Sequence, residues 1–121
     1  MSTIYKILTA DQWSDFRTSG RFAGAPIDRQ DGFIHLSSGR QLRETLEKHF
    51  AGQNDLVILA FHSDALGEAL RWEVSRGGAL FPHLYASLVT ADVAEVLAAS
   101  DRDLTIIETR TANEASEHGG D

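Results

Sequence analysis

The run Leu56-Val57-Ile58-Leu59-Ala60-Phe61 is apolar throughout and is closed by Asn54-Asp55 on one side and Ser63-Asp64 on the other. This is the pattern of a central strand covered on both faces. Such a strand needs a layer of structure on each side. A chain of 121 residues that is 42% hydrophobic can supply one such core and has no room for a second domain. The expected class is α/β (α+β), with residues 1–110 as a single globular domain.

The flanking segments read as strands and helices in alternation. Thr3 to Leu8 is a first strand, and Thr9 with Gln12 forms a capping box that opens a helix carrying Trp13 and Phe16, stopped by Gly20. Arg21 to Asp31 holds a glycine and a proline without a sustained period and is expected to be a loop, a candidate lid. Gly32 starts a second strand with Phe33, His35 and Ser37 on one side and Ile34 and Leu36 on the other. Ser38 and Gln41 repeat the capping pattern before a helix with Leu42, Leu46 and Phe50 on one stripe, ended by Gly52. Leu70 to Val74 alternates, with Arg71 and Glu73 on one face and Leu70, Trp72 and Val74 on the other. Arg76-Gly77-Gly78 is a turn, and His83-Leu84-Tyr85 a further strand entered through Pro82. Thr90 to Ser100 fits either a short helix or an extended segment, and Leu104 to Ile107 an edge strand. Trp13 and Trp72 are expected in the core. The polar run 111–121 is expected to be a disordered acidic tail.

Charge and composition narrow the function classes. A net charge of −7 and the absence of cysteine argue against a broad nucleic-acid surface, disulfides and thiolate zinc sites. No apolar run approaches ~20 residues, and the start lacks a basic region followed by an apolar core, so a soluble cytoplasmic protein is expected. The sequence leaves the oligomeric state open.

Two blocks carry the chemistry: Gly32-Phe33-Ile34-His35-Leu36-Ser37-Ser38 and Phe81-Pro82-His83-Leu84-Tyr85. Each puts a histidine in a stretch that otherwise reads as buried strand, where an imidazole needs partners for both ring nitrogens. His35, Glu73, His83 and Tyr85 are the candidate catalytic groups, since imidazole and carboxylate exchange protons near neutral pH and tyrosine adds an aromatic face and a hydroxyl. Ser37, Ser38, Arg71 and Arg76 complete the polar set. The helix N-terminus near Ser38 to Gln41, with Arg40 and Arg43, is a candidate anion site. Two imidazoles and a carboxylate, His35, His83 and Glu73, are also a ligand set for zinc or iron, although their spacing matches no local metal motif. His49 and His62 are expected to be structural or exposed.

The ordered blocks Ile4-Tyr5-Lys6-Ile7, Trp13, Asp31 to Ser37, Leu56 to Leu59, Leu70-Arg71-Trp72-Glu73 and Phe81 to Tyr85 resemble the small bacterial family catalogued as domain of unknown function 952. That family is distantly similar to the ADP-ribosyltransferase-like fold. The resemblance implies a curved, split mixed β-sheet flanked by two main helices, with an NAD-binding cleft. Phe33-Ile34-His35-Leu36-Ser37 also resembles the His-Leu-Ser phrase of RNA 2'-phosphotransferases. The implied function is an NAD- or ADP-ribose-nucleotide-dependent transferase or hydrolase. His35 and Tyr85 would hold ribose and nicotinamide, Glu73 would stabilise an oxocarbenium-like centre, and Lys6 or Arg76 would meet the phosphates. The transferases carry histidine where this chain has Lys6, whose ammonium lacks an imidazole's acceptor. That departure supports the alternative of a catalytically inactive small-molecule or nucleotide-binding module.

Overall fold

The computed structural model describes residues 2–119, apart from the side chains of Arg76 and of 115–119. The apolar run of Leu56 to Phe61 becomes β5 (Leu56–His62), which pairs antiparallel along the whole of β1 (Thr3–Thr9), with Lys6 opposite Leu59. Strand β4 (Ser37–Ser38) continues the sheet beyond β1, and β9 (Val93–Ala98) continues it beyond β5, giving the order β4-β1-β5-β9. A second sheet has the order β3-β7-β6, from β3 (Ile34–His35), β7 (Leu80–Leu84) and β6 (Leu70–Val74). A short ribbon joins β2 (Arg21–Phe22) to β8 (Leu88–Val89). The sheet is split, as expected, and the class is α+β. Every strand pairing among the described residues is antiparallel, whereas the resemblance implied a mixed sheet.

Strict alternation along β1 and β5 divides the core in two. Ile4, Leu8, Leu59 and Phe61 face Phe16 of α1 (Ala10–Ser19) together with Ile34, Leu84 and Leu88. On the other face, Tyr5, Ile7, Ile58 and Ala60 meet Leu42 of α3 (Leu42–His49) and, after the four-residue α4 (Ser63–Leu66) in chain order, Leu104 and Ile107 of α5 (Asp101–Gly119). Each fully buried Leu, Ile or Phe contributes about 1.5–3 kcal/mol, so the two layers hold β1 and β5 from both sides. Helix α1 begins at the full Thr9–Gln12 capping box and ends at Gly20 in the left-handed conformation, as read from sequence. No helix among the described residues is long and apolar enough to cross a membrane.

Several expectations are corrected. The segment read as a loop contains β2 and a six-residue helix, α2 (Pro26–Asp31), with Pro26 in its first turn and Gly32 as its left-handed cap. The strand read through Gly32 to Ser37 is broken at Leu36: β3 pairs with β7 and β4 with β1, so the chain changes sheets there. Leu104 to Ile107 is the first part of α5, where Ser100 accepts the Asp103 N–H and Leu104 and Ile107 face inward at helical spacing. A third long helix therefore joins the two expected. Thr90 to Ser100 resolves into a single 3-10 turn followed by β9. Trp13 packs on the core, but Trp72 is largely exposed because β6 is an edge strand.

Residues 111–119 of the polar run expected to be disordered continue α5, and 120–121 lie outside the described residues. Glu114 accepts a hydrogen bond from the Thr3 hydroxyl, and Thr111 lies against Gly39. A Cβ at Gly39 would fall 1.9 Å from the Thr111 Oγ1 and 3.3 Å from Ile107 Cγ2. The prediction is that Gly39→Ala loses about 1–3 kcal/mol, the usual range for overpacking, in urea unfolding. Adding Thr111→Ala recovers part of the loss if α5 packs as described.

Candidate functional site

Alternation puts Lys6 between Ile4 and Leu8 on the inward face of β1, where an unpaired ammonium would be prohibitive. Its partner is Asp28 of α2. Lys6 Nζ donates to Asp28 Oδ2 at 3.0 Å and to the His35 carbonyl at 2.9 Å. Asp28 is 1% exposed, and its carboxylate also accepts the Ala25 N–H on Oδ2 and the His35 N–H on Oδ1. His35 Nδ1 stands 2.6 Å from the same Oδ1. Burial by itself pushes the Asp28 carboxyl up, but the bonds from His35 and the charge of Lys6 outweigh it and hold the group at about 2. Burial lowers the Lys6 ammonium, with Asp28 opposing.

His35 is bracketed by a second carboxylate. Its Nε2 lies 2.9 Å from Asp31 Oδ2, at the end of α2, so α2 delivers two acids to one ring. The two histidines anticipated from sequence are direct cross-strand neighbours, His35 opposite His83, with ring centroids 5.7 Å apart. Phe33 stacks on His83 at 4.0 Å and 20°. His83 Nδ1 is 2.9 Å from Glu73 Oε1, and the Tyr85 hydroxyl donates to the same oxygen at 2.7 Å. Those two bonds, that from Tyr85 first, lower the Glu73 carboxyl, and the bond to Glu73 raises the Tyr85 hydroxyl. Arg71 lies over the Tyr85 ring at 5.5 Å. The other nitrogen of His83, Nε2, is buried and meets no partner among the described residues. An orphaned acceptor of this kind costs about 1–3 kcal/mol.

A cavity of about 590 Å³ runs alongside, with Lys6, Asp28, Asp31, His35, Ser37, His49 and His83 among its walls and Ile7, Leu36, Phe50 and Phe81 as apolar lining. His35, Glu73, His83 and Tyr85 are thus brought together as expected, with Arg71 at their edge. Other assignments change. Lys6 is committed to Asp28 and the His35 carbonyl rather than free for a phosphate. Ser37 sits on the other sheet, its hydroxyl 3.3 Å from that of Thr45. The Gln41 side chain accepts the Ser38 N–H, but the helix begins only at Leu42. Arg43 is bound bidentately to Glu108 and also to Asp101, which removes it from the expected anion site. His49 and His62 are both exposed, as expected, and His49 also borders the cavity. The side chain of Arg76 lies outside the described residues. Among the described residues no group of three His, Cys, Asp or Glu side chains is disposed to hold a metal ion. His83 and His35 instead direct Nδ1 to different carboxylates.

Asp28, Asp31 and Phe33 are the site residues that sequence reasoning missed. The signal for Asp28 was Lys6 itself, an inward-facing cation on β1 that required a buried acid.

Replacing one member of a buried pair strands the other charge, at about 3–5 kcal/mol. Asp28→Asn is therefore predicted to lose about that much stability in urea unfolding, with a large part regained in Lys6→Met/Asp28→Asn. Because the Asp28 carboxyl is lowered from 3.8 to about 2 in the fold, its contribution is complete above pH ~4 and disappears as pH falls toward ~2. Over that window the wild type should lose about 2 kcal/mol relative to the double variant.

The chain matches, over residues 7–96, the family described as Protein of unknown function (DUF952). It is similar to protein CC0527 from Caulobacter crescentus. The X-ray crystal structure of that protein is 50% identical, with a TM-score of 0.77 over 79% of this chain and 84% of that one. Its solution NMR structure is also 50% identical, with a TM-score of 0.73 over 80% and 84%. No protein of curated function matches. With a family match over most of its length and a half-identical relative of the same fold, the chain belongs to the DUF952 family.

Proposed function

We propose that this domain binds a small molecule in the cavity beside β1 and β3 and uses His35 to move a proton to or from it. One observation carries the reading: an imidazole held by carboxylates at both nitrogens forms part of the cavity wall. Asp28, buried, holds the Nδ1 side of the ring, so Nε2, which faces the more exposed Asp31, is the nitrogen open to a ligand. Its contact there, Asp31, is 40% exposed at the end of a short helix. A pair this open is worth about 0–1 kcal/mol, so a ligand can displace it. Proton transfer by a group so oriented typically supplies about 10²–10⁴ in rate.

A nucleotide bearing ADP-ribose, such as NAD, is a second ligand class. It is favoured by the aromatic cluster of Phe33, His83 and Tyr85 beside the Glu73 carboxylate, of which His83 borders the cavity. A planar base can stack there, with the carboxylate against an electron-poor ribose carbon. A module of the same geometry that binds without turnover would show the first property and lack the second.

The test is a thermal-shift titration of wild type and His35→Ala with NAD, ADP-ribose, a 2'-phosphorylated nucleotide and neutral sugars. A ligand at one hundred times its Kd adds about 2.7 kcal/mol of stability. Saturable stabilisation of wild type, lost in His35→Ala, is the expected result, with turnover of the bound ligand reduced about a hundredfold or more in that variant. Equal stabilisation of both proteins would overturn the role of His35.

A further inference from the structure

On the reading that the cavity takes a ligand, we infer that the ligand presents a hydrogen-bond donor, a hydroxyl or an ammonium, to His83 Nε2, and is neutral or cationic rather than a phosphate. The argument begins with the tautomer of His83. Its Nδ1 faces Glu73 Oε1 at 2.9 Å, an oxygen that already accepts from the Tyr85 hydroxyl. A carboxylate oxygen offers only lone pairs, so the hydrogen of the neutral ring resides on Nδ1. Nε2 is left as a bare acceptor, buried, without a partner among the described residues, on a ring that lines the cavity.

Packing alone does not account for this histidine. Phe33 stacks on the ring, and an apolar residue would pack there without leaving a buried polar orphan. The ring borders the cavity while Nε2 itself is covered, and a donor carried by a ligand that displaces the covering contacts would satisfy it. The other charges along the wall point the same way. Lys6 is neutralised by Asp28, Asp31 adds a further negative group, and no arginine lines the cavity among the described residues. A phosphate would meet the Asp31 carboxylate with no lysine or arginine of the described lining outside the Lys6–Asp28 pair to offset it, which ranks the nucleotide class behind a polyol or an amine.

Two-bond ¹H–¹⁵N correlation spectra of the histidine rings test this directly, with His83→Asn identifying the signals. Asparagine keeps a donor toward Glu73 and has no group at the position of Nε2, although it also loses the ring that stacks on Phe33. The expected spectrum has His83 protonated on Nδ1 and bare on Nε2. Ribose or ethanolamine should move the Nε2 resonance saturably, with binding at least tenfold weaker in His83→Asn. A hydrogen on Nε2, or a resonance that responds to inorganic phosphate and not to the other two probes, would overturn the ligand class while leaving the cavity reading intact. Perturbation of His35 by the donor probes without any change at His83 would do the same. No response at either ring would overturn both.

Discussion

A lysine facing inward on a central strand is the constraint around which this fold is arranged. Nothing in a pure packing core favours an ammonium between Ile4 and Leu8, and its burial is tolerable only because Asp28 arrives from α2 with a full set of hydrogen bonds. That requirement dictates the local path of the chain. Gly24, at φ 122°, allows a backbone that an L side chain would resist, and a Cβ there would meet Asp28 Cβ at 2.9 Å. Pro26 then starts α2 and Gly32 ends it, so Asp28 and Asp31 fall on the side where Lys6 and His35 lie. The seam between the four-stranded and three-stranded sheets is made here largely by charged and polar contacts, since Lys6 belongs to one sheet and His35 to the other.

The elements most legible in sequence were those whose signal is local. The Thr9–Gln12 capping box, the left-handed Gly20 and the uninterrupted run of β5 each depend on a few adjacent residues, and each appears as read. The two histidine blocks were legible for a related reason: a strand pattern containing an imidazole marks a place where packing has been given up for chemistry. Their meeting as cross-strand neighbours, together with Glu73 and Tyr85, followed.

What was hidden depends on contacts distant in sequence. Helix α2 is too short to show a period, and its acids resemble those of any solvated loop until Lys6 is placed opposite them. The change of sheets at Leu36 leaves the alternation of the sequence undisturbed, so nothing local reports it. Alternation in Leu70 to Val74 separates two faces but cannot say that β6 lies at an edge, which is why Trp72 is exposed. In Leu104 to Ile107 the β-branched residues favour a strand, whereas burial against Tyr5 and Ile58 selects the helix, an instance of tertiary packing overriding propensity.

Position 35 joins two roles that are separable. Its main chain does the structural work, the N–H bonded to Asp28 and the carbonyl to Lys6, and any residue other than proline supplies both groups. The imidazole is added to that frame. A lineage can therefore replace the side chain at 35, losing its bond to Asp28, while inheriting the two backbone bonds of the joint. Within one architecture, members with and without this imidazole can stand a single codon apart.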